Sequence, residues 1–330
     1  MKHISVLVPN GEAVLSSIIG PYKVFNKVNE FLLETGKSTE PYYHVQLVGI
    51  KQDLDLYDGA FSVKAHTTID KIKTTDLIII PAINGDIPKE LKNNQAFIPW
   101  IKQMHENGAE VASLCLGAFL LASTGLVSGK KCTTHWLGAE AFRQMFPDVE
   151  LLEQKVVTDE SGIYSSGGAY SFLNLILHLV EKYAGREAAL WCAKVFEIEI
   201  GRETQAQFTI FRGQKGHEDE SVKKAQTYIE NNIGERISVE KLAEMFALSR
   251  RNFIRRFKKA TQNTPIEYIQ RVKIEAAKKS LESTTDNISE IMYRVGYTDS
   301  KAFRNIFRKV TGLSPLEYKM KYNRVFAQAS

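Results

Sequence analysis

Over roughly the first 200 residues the apolar positions come in short, nearly unbroken runs at 3–9, 44–50, 76–81 and 109–114. A run without polar alternation offers no face to water, so each is predicted to be a strand buried on both sides. Between them, around 17–34, 95–107, 117–124, 135–146 and 170–182, the apolar residues recur with a helical period. Strand and helix in alternation imply a parallel, doubly wound α/β sheet.

The pattern stops at 201–220 (GRETQAQFTIFRGQKGHEDE), which is polar, glycine-bearing and weakly patterned, and is expected to connect two domains. From 221 onward the chain reads as helices and turns. A chain of 330 residues exceeds what one core usually supports. The expected organisation is an α/β domain over 1–200, a connection over 201–220 and an all-α domain over 221–330.

Inside the all-α region a single motif occurs twice. Phe253-x3-Phe257-Lys258-Lys259-x-Thr261-x2-Thr264-Pro265-x-Glu267-Tyr268 returns as Phe303-x3-Phe307-Arg308-Lys309-x-Thr311-x2-Ser314-Pro315-x-Glu317-Tyr318, at a constant offset of 50. One structural unit is therefore built twice. Each copy opens with an amphipathic helix, a tight turn and a second helix. In the first copy these are 239–247, Leu248-Ser249 and 250–260, with Ser249 placed to cap the second helix. In the second they are 288–295, Gly296-Tyr297-Thr298 and 299–310, and Gly296 suits a turn that needs positive φ.

Phe253 and Phe257 fall on one face of the first copy's second helix, and Arg250, Arg251, Ile254, Arg255, Arg256, Lys258 and Lys259 take the rest. In the second copy Phe303 and Phe307 face inward while Ser300, Lys301, Arg304, Asn305, Arg308 and Lys309 turn outward. Thr264-Pro265-x-Glu267 and Ser314-Pro315-x-Glu317 read as capping boxes with proline at the first helical position. The first opens a long helix, 265–281, that would hold the two copies at a fixed separation. Two aromatic-anchored, basic helices suit successive major-groove segments about 34 Å apart.

Charge supports this placement. Through Gly216, 21 Lys+Arg stand against 24 Asp+Glu; from His217 on, 22 stand against 14, so the basic excess lies wholly in the all-α region. Duplex DNA is the expected partner; the bland alternative for these cations is a solvated helical face. The residues about 221–322, with RVGYTDSKAFRNIFRKVTGLSPLEY most specific, resemble the DNA-binding domain of AraC/XylS-type regulators. The resemblance implies promoter binding, with Arg251, Ile254 and Arg255 at base-contacting positions of the first unit and Ser300, Lys301, Arg304 and Asn305 in the second. Ile254 departs from the polar residue often found there and cannot donate a hydrogen bond.

The α/β region carries its own candidate chemistry. Ala112-Ser113-Leu114-Cys115-Leu116-Gly117-Ala118 reads as a strand entering a small-residue turn and a helix. A cysteine at that elbow would meet a helix N-terminus, whose dipole favours the thiolate. His135 is a candidate base, and the alternative is a buried cysteine with a core histidine. The stretch from about 3 to 208, with ASLCLGAFLLASTGLVSGKKCTTHW strongest, resembles the PfpI-like, class I glutamine-amidotransferase-like domains found at the N-terminus of many AraC-type regulators. The resemblance implies a flavodoxin-like sandwich. In its catalytic branches an acidic residue from the first strand-helix connection supports the cysteine. Here that position holds Ser16 or Ser17, with Glu12 out of register, and Asn174 stands where such regulators often carry aspartate.

Without a carboxylate beside Cys115 or His135, hydrolysis loses its orienting group. The expectation is a non-catalytic sensor whose pocket opens at the strand ends near Asn84, Gly85, Cys115 and His135. The rivals are a thiol-dependent amidase, hydrolase or glyoxalase using Cys115 and His135, and nonspecific nucleic-acid binding through charge.

The remaining composition narrows the setting. Cys115, Cys132 and Cys192 form no CxxC pair, and the seven histidines show no metal spacing, so neither disulfides, metal nor cofactor is expected. Gly125 to Lys131 resembles a P-loop only superficially, with three residues between its glycines where four are required. No run is long enough to span a bilayer, and a cytoplasmic regulator is expected. Its partners would be promoter DNA, a small-molecule effector of unknown identity, RNA polymerase and, by the resemblance, a second copy of the chain.

Overall fold

The structure, a computed structural model, describes residues 1–323. The end of the expected all-α domain, 324–330, lies outside the described residues. The chain divides into two compact units, Met1–Gln205 and the residues from Ala206 on.

The strands of the first unit are β1 (Lys2–Val8), β2 (Tyr43–Gly49), β3 (Asp53–Leu56), β4 (Phe61–Lys64), β5 (Thr67–Thr68), β6 (Leu77–Ile80), β7 (Glu110–Leu114), β8 (Lys131–Cys132), β9 (Glu150–Leu151), β10 (Val157–Glu160) and β11 (Ile163–Ser166). Its helices are α1 (Leu15–Glu34), α2 (Ile87–Asn93), α3 (Phe97–Glu106), α4 (Ala118–Ser123), α5 (Ala139–Met145) and α6 (Phe172–Val195). Seven strands form one sheet in the order β10-β11-β7-β6-β1-β2-β5, parallel except for the β10–β11 pair. This is the flavodoxin-like sandwich, with β10 as its antiparallel edge.

Alternation along each strand feeds two cores. Ile4, Val6 and Val8 of β1 and Leu77 and Ile79 of β6 pack with Phe25, Leu175 and Leu179 from α1 and α6. Leu7, Ile78 and Ile80 face the other way, onto Phe97, Trp100 and Phe119 from α3 and α4. Because β1 stands between β2 and β6, the chain changes winding direction there. A crevice at the carboxyl ends of β1 and β6 is the topological consequence.

The hairpins β3–β4 and β10–β11 and the helix α2 go beyond the sequence expectation. The helix expected to end at 182 continues to Val195, broken at Gly185, whose φ of 86° only glycine accepts readily.

The stretch 201–220 is shared between the units. Gln205 is buried in the first: its Nε2 donates to the carbonyls of Thr134 (2.9 Å), Glu153 (2.7 Å) and Lys155 (3.3 Å), and its Oε1 accepts from the Gly168 N–H (2.8 Å). Beyond it, Phe211 packs edge-on against Tyr268 and donates its N–H to Glu275 at 3.1 Å, while Lys278 donates to the Thr209 carbonyl at 2.6 Å.

The second unit consists of α7 (Glu220–Asn231), α8 (Val239–Met245), α9 (Arg250–Thr261), α10 (Pro265–Ser283), α11 (Ile288–Arg294), α12 (Ser300–Thr311) and α13 (Pro315–Tyr322). Each copy of the repeat has its own core, Val222, Leu242, Phe253 and Phe257 in one and Leu281, Ile291, Phe303 and Phe307 in the other. Helix α10 contributes to both. Thr264–Glu267 and Ser314–Glu317 are both reciprocal capping boxes, and Asn287–Glu290 is a third at the start of α11. The copies differ at the turn. Ala247 (φ 52°) and Gly296 (φ 73°) hold the left-handed position, an offset of 49, whereas the helices after them start at an offset of 50. The second turn is longer by one residue.

Candidate functional site

Helices α9 and α12 carry the residues singled out from the sequence. In α9, Phe253 and Phe257 are fully buried, Ser249 caps the first turn by accepting from the Asn252 N–H, and Arg251, Arg255, Lys258 and Lys259 are exposed. In α12, Phe303 and Phe307 are buried and Ser300, Lys301, Arg304, Asn305, Arg308 and Lys309 are exposed. Among the described residues Arg251, Lys258, Lys259, Lys301 and Arg304 make no ion pair, so their charges are open to a ligand.

Three other positions are placed differently. Arg250 is exposed but pairs with Glu240 at 2.6 Å. Ile254 is half-buried against the core of the first copy. Arg256 directs its guanidinium to Asp219, the N-cap of α7, donating from Nε at 2.8 Å and from Nη2 at 2.7 Å. Sequence reasoning placed Arg256 on the open face because its partner lies outside α9, in the stretch expected to be a connection.

At the strand ends of the first unit, Cys115 follows β7 with φ 55°, the strained elbow expected of it. Gly117 permits the sharp bend: a Cβ there would lie 2.5 Å from the Pro81 carbonyl and 2.6 Å from that of Ile80. The Cys115 N–H meets Ser166 Oγ at 3.4 Å, and its carbonyl accepts from Thr134 Oγ1 at 3.0 Å, which brings the loop of His135 to the elbow. The expectation of a thiolate-favouring environment is corrected here. The thiol is buried, and desolvation pushes its pKa up to about 12, outweighing the backbone hydrogen bond that lowers it. His135 is half-buried, burial lowers its pKa, and its Nδ1 accepts from the Leu137 N–H at 3.0 Å. Among the described residues neither side chain has a carboxylate partner.

Asn84 and Gly85, in the segment that follows β6, gather around Glu12. The Asn84 N–H donates to the Glu12 carbonyl at 2.7 Å, and a Cβ on Gly85 would lie 3.5 Å from Glu12 Cγ. The Ser17 hydroxyl is occupied by backbone, donating to Val14 O at 2.6 Å and accepting from the Ala82 N–H at 3.0 Å. Asn174 donates to the Glu199 carbonyl at 2.7 Å.

Sequence reasoning missed Glu90. It is 2% exposed, and its Oε2 accepts the Glu12 N–H at 3.0 Å. Gly11, at φ +81°, leaves the space this carboxylate fills. With the reciprocal bonds between Asn94 and the Asn10 backbone at 2.8 and 3.0 Å, Glu90 fixes the loop that presents Glu12. A buried glutamate in a polar run such as PKELKNN carries no sequence signal of its burial.

Comparison with known proteins places both units. Residues 4–182 match the DJ-1/PfpI family and residues 242–321 match a helix-turn-helix domain. The chain is similar to the HTH-type transcriptional regulator GbdR of Pseudomonas aeruginosa, 24% identical over 302 residues, which covers 91% of this chain and 79% of that protein. It is also similar to the HTH-type transcriptional regulator ArgR of the same species, 26% identical over 218 residues, 66% of either chain. A solved structure from Vibrio parahaemolyticus, assigned as a transcriptional regulator, superimposes with a TM-score of 0.52 at 24% identity, covering 59% of this chain and 98% of that one. At that identity the likeness speaks to fold alone. The chain thus belongs to the DJ-1/PfpI family and carries, C-terminal to that domain, a helix-turn-helix domain of the AraC type.

Proposed function

We infer that the chain is a DNA-binding transcription regulator whose helices α9 and α12 read a promoter and whose first unit takes up a small-molecule effector without transforming it. The observation that carries the DNA reading is the twofold occurrence of one arrangement, two buried phenylalanines at i and i+4 with exposed cations on the opposite face. Within it we assign base contacts to Arg251, Arg255, Lys301, Arg304 and Asn305, and phosphate contacts to Lys258, Lys259, Arg308 and Lys309.

The non-catalytic reading of the first unit is supported by the neutral Cys115 thiol and the missing carboxylate. A nucleophile with a pKa near 12 has almost no thiolate at neutral pH. The effector site is the strand-end crevice between Glu12, Asn84 and Gly85 on one rim and Cys115 and His135 on the other. Its occupation would bias promoter binding by population shift. Homodimerisation, contact with RNA polymerase and a cytoplasmic location belong to the same reading. Among the described residues no helix is long and apolar enough to cross a membrane.

Selection of random duplexes on the full chain at near-physiological salt, with competitor DNA present, tests the reading. A recurrent pair of half-sites about one helical turn apart is expected. Recovery of unrelated sequences would refute specific recognition. Equal binding by Cys115→Ala is expected, and turnover of amide or aldehyde substrates lost in that variant would instead support the enzyme.

A further inference from the structure

A buried lysine ties the two helix-turn-helix copies together. Lys273 lies midway along α10, is 5% exposed, and ends between the copies. Its ammonium donates to the carbonyl of Glu235 at 2.9 Å, in the segment between α7 and α8, and to those of Val295 (3.0 Å) and Gly296 (3.4 Å), in the turn of the second copy. The charged and titratable groups around it are otherwise engaged. The Glu235 carboxylate faces Lys241 at 3.6 Å and the Tyr228 hydroxyl at 3.3 Å, Arg294 pairs with Asp286 at 2.7 Å, and the Tyr297 ring stands 5.7 Å from Nζ. No carboxylate compensates the Lys273 charge among the described residues, and its three acceptors come from both copies.

The segment between α7 and α8 also touches the turn of the second copy. A Cβ on Gly296 would lie 2.6 Å from the Gly234 carbonyl and 2.5 Å from Lys273 Nζ, and Ile233 packs against both cores. Helix α10 alone fixes the distance between the copies but leaves their mutual rotation to whatever bridges them. An uncompensated buried ammonium is costly, and an aliphatic chain would fill the space with no such penalty. What the charge adds is direction: three donors that fit only one arrangement of the α7–α8 segment and the turn of the second copy.

We propose that Lys273 is a positioning residue that fixes the angle between α9 and α12 and thereby the half-site spacing the chain accepts. The second clause rests on the DNA reading; the first does not. Two measurements on the full chain separate them. Spin labels at Glu244→Cys and Tyr293→Cys, with the native cysteines buried, report the distance between α8 and α11 by pulsed electron resonance without DNA. One narrow distance is expected, broadened by Lys273→Met and restored by Lys273→Arg. Duplexes selected by the unaltered chain are then lengthened or shortened by one base pair between half-sites. The unaltered chain should lose at least about tenfold in affinity, whereas Lys273→Met should discriminate by less than about twofold and bind an isolated half-site as before.

An unchanged distance and an unchanged spacing preference in Lys273→Met would overturn the proposal. So would loss of isolated half-site binding in step with loss of cooperative melting, since Lys273 would then be a folding residue. A broadened distance with no sequence selected by the unaltered chain would overturn the spacing claim together with the DNA reading. If Lys273→Met does not fold, Lys273→Gln, which keeps an amide but cannot reach three carbonyls, carries the same test.

Discussion

Arg256 and Asp219 are locked in a two-pronged ion pair, Nε and Nη2 of the one donating to the two carboxylate oxygens of the other. The pair fastens α7 to α9. In the second copy the corresponding position, an offset of 50 away, is Ile306, half-buried against that copy's core. Position 256 therefore serves packing in both copies, by charge in one and by hydrocarbon in the other.

Removing either partner should lower stability and leave sequence preference intact. Arg256→Ala is expected to cost about 1–2 kcal/mol, a partly screened bidentate pair. Arg256 also holds the Asp219 carboxyl below its ordinary value of 3.8. A depressed carboxylate contributes its stability above that ordinary value and loses it as pH falls through the depressed one. Urea unfolding at pH 7 and pH 3 should show a smaller Arg256→Ala deficit at the second than at the first. An altered base preference in the variant would return Arg256 to the reading face.

On the selected duplex, Arg255→Ala or Arg304→Ala should each cost about 1–3 kcal/mol and relax one base position. Lys259→Ala or Lys309→Ala should weaken binding to every sequence alike and flatten the salt dependence. Titration against matched and mismatched duplexes at two salt concentrations separates the patterns.

Cys115 should resist alkylation. With its thiol pushed up to about 12 by burial, iodoacetamide should label it far more slowly at pH 7 than a free thiol, and the rate should still climb through pH 9. Mass spectrometry of the labelled peptide reads this out, and rapid labelling with a plateau below pH 7 would reinstate a thiolate.

The C-cap of α9 offers a stabilising change. Gln262 stands at φ 58°, and its counterpart after α12 is Gly312 at φ 77°. Gln262→Gly removes the Cβ penalty of that left-handed residue and should raise stability by about 1 kcal/mol. Thermal unfolding checks it, and a lowered melting temperature would mean that the Gln262 side chain contributes more than its backbone costs.

The sequence declared β1, β6 and β7 because both of their faces are buried, so their runs are nearly all apolar, broken only by the small buried serines Ser5 and Ser113. It was silent on β10, where Thr158, Asp159 and Glu160 read as loop; an edge strand paired on one side only can be polar. The elbow at Cys115 was legible in its small neighbours. Its protonation state was not, since helix position argues for a thiolate and burial, invisible locally, argues more strongly against it. The phenylalanine pairs of α9 and α12 were legible from period and repetition. Glu90 and Lys273 were not, because each is explained by backbone groups distant in sequence, the Glu12 N–H in one case and the Glu235, Val295 and Gly296 carbonyls in the other.

Gln205 is the last residue of the first unit, and a single amide there grips the loops of Thr134, Glu153, Lys155 and Gly168. Thr134 is also the residue that holds the Cys115 carbonyl and precedes His135. A molecule that displaces the His135 loop therefore pulls on the bond to Gln205, and either that bond breaks or the departing peptide is drawn along with it. The strand-end elbow and the last residue of the first unit thus share one set of hydrogen bonds, and neither can shift without the other losing a partner.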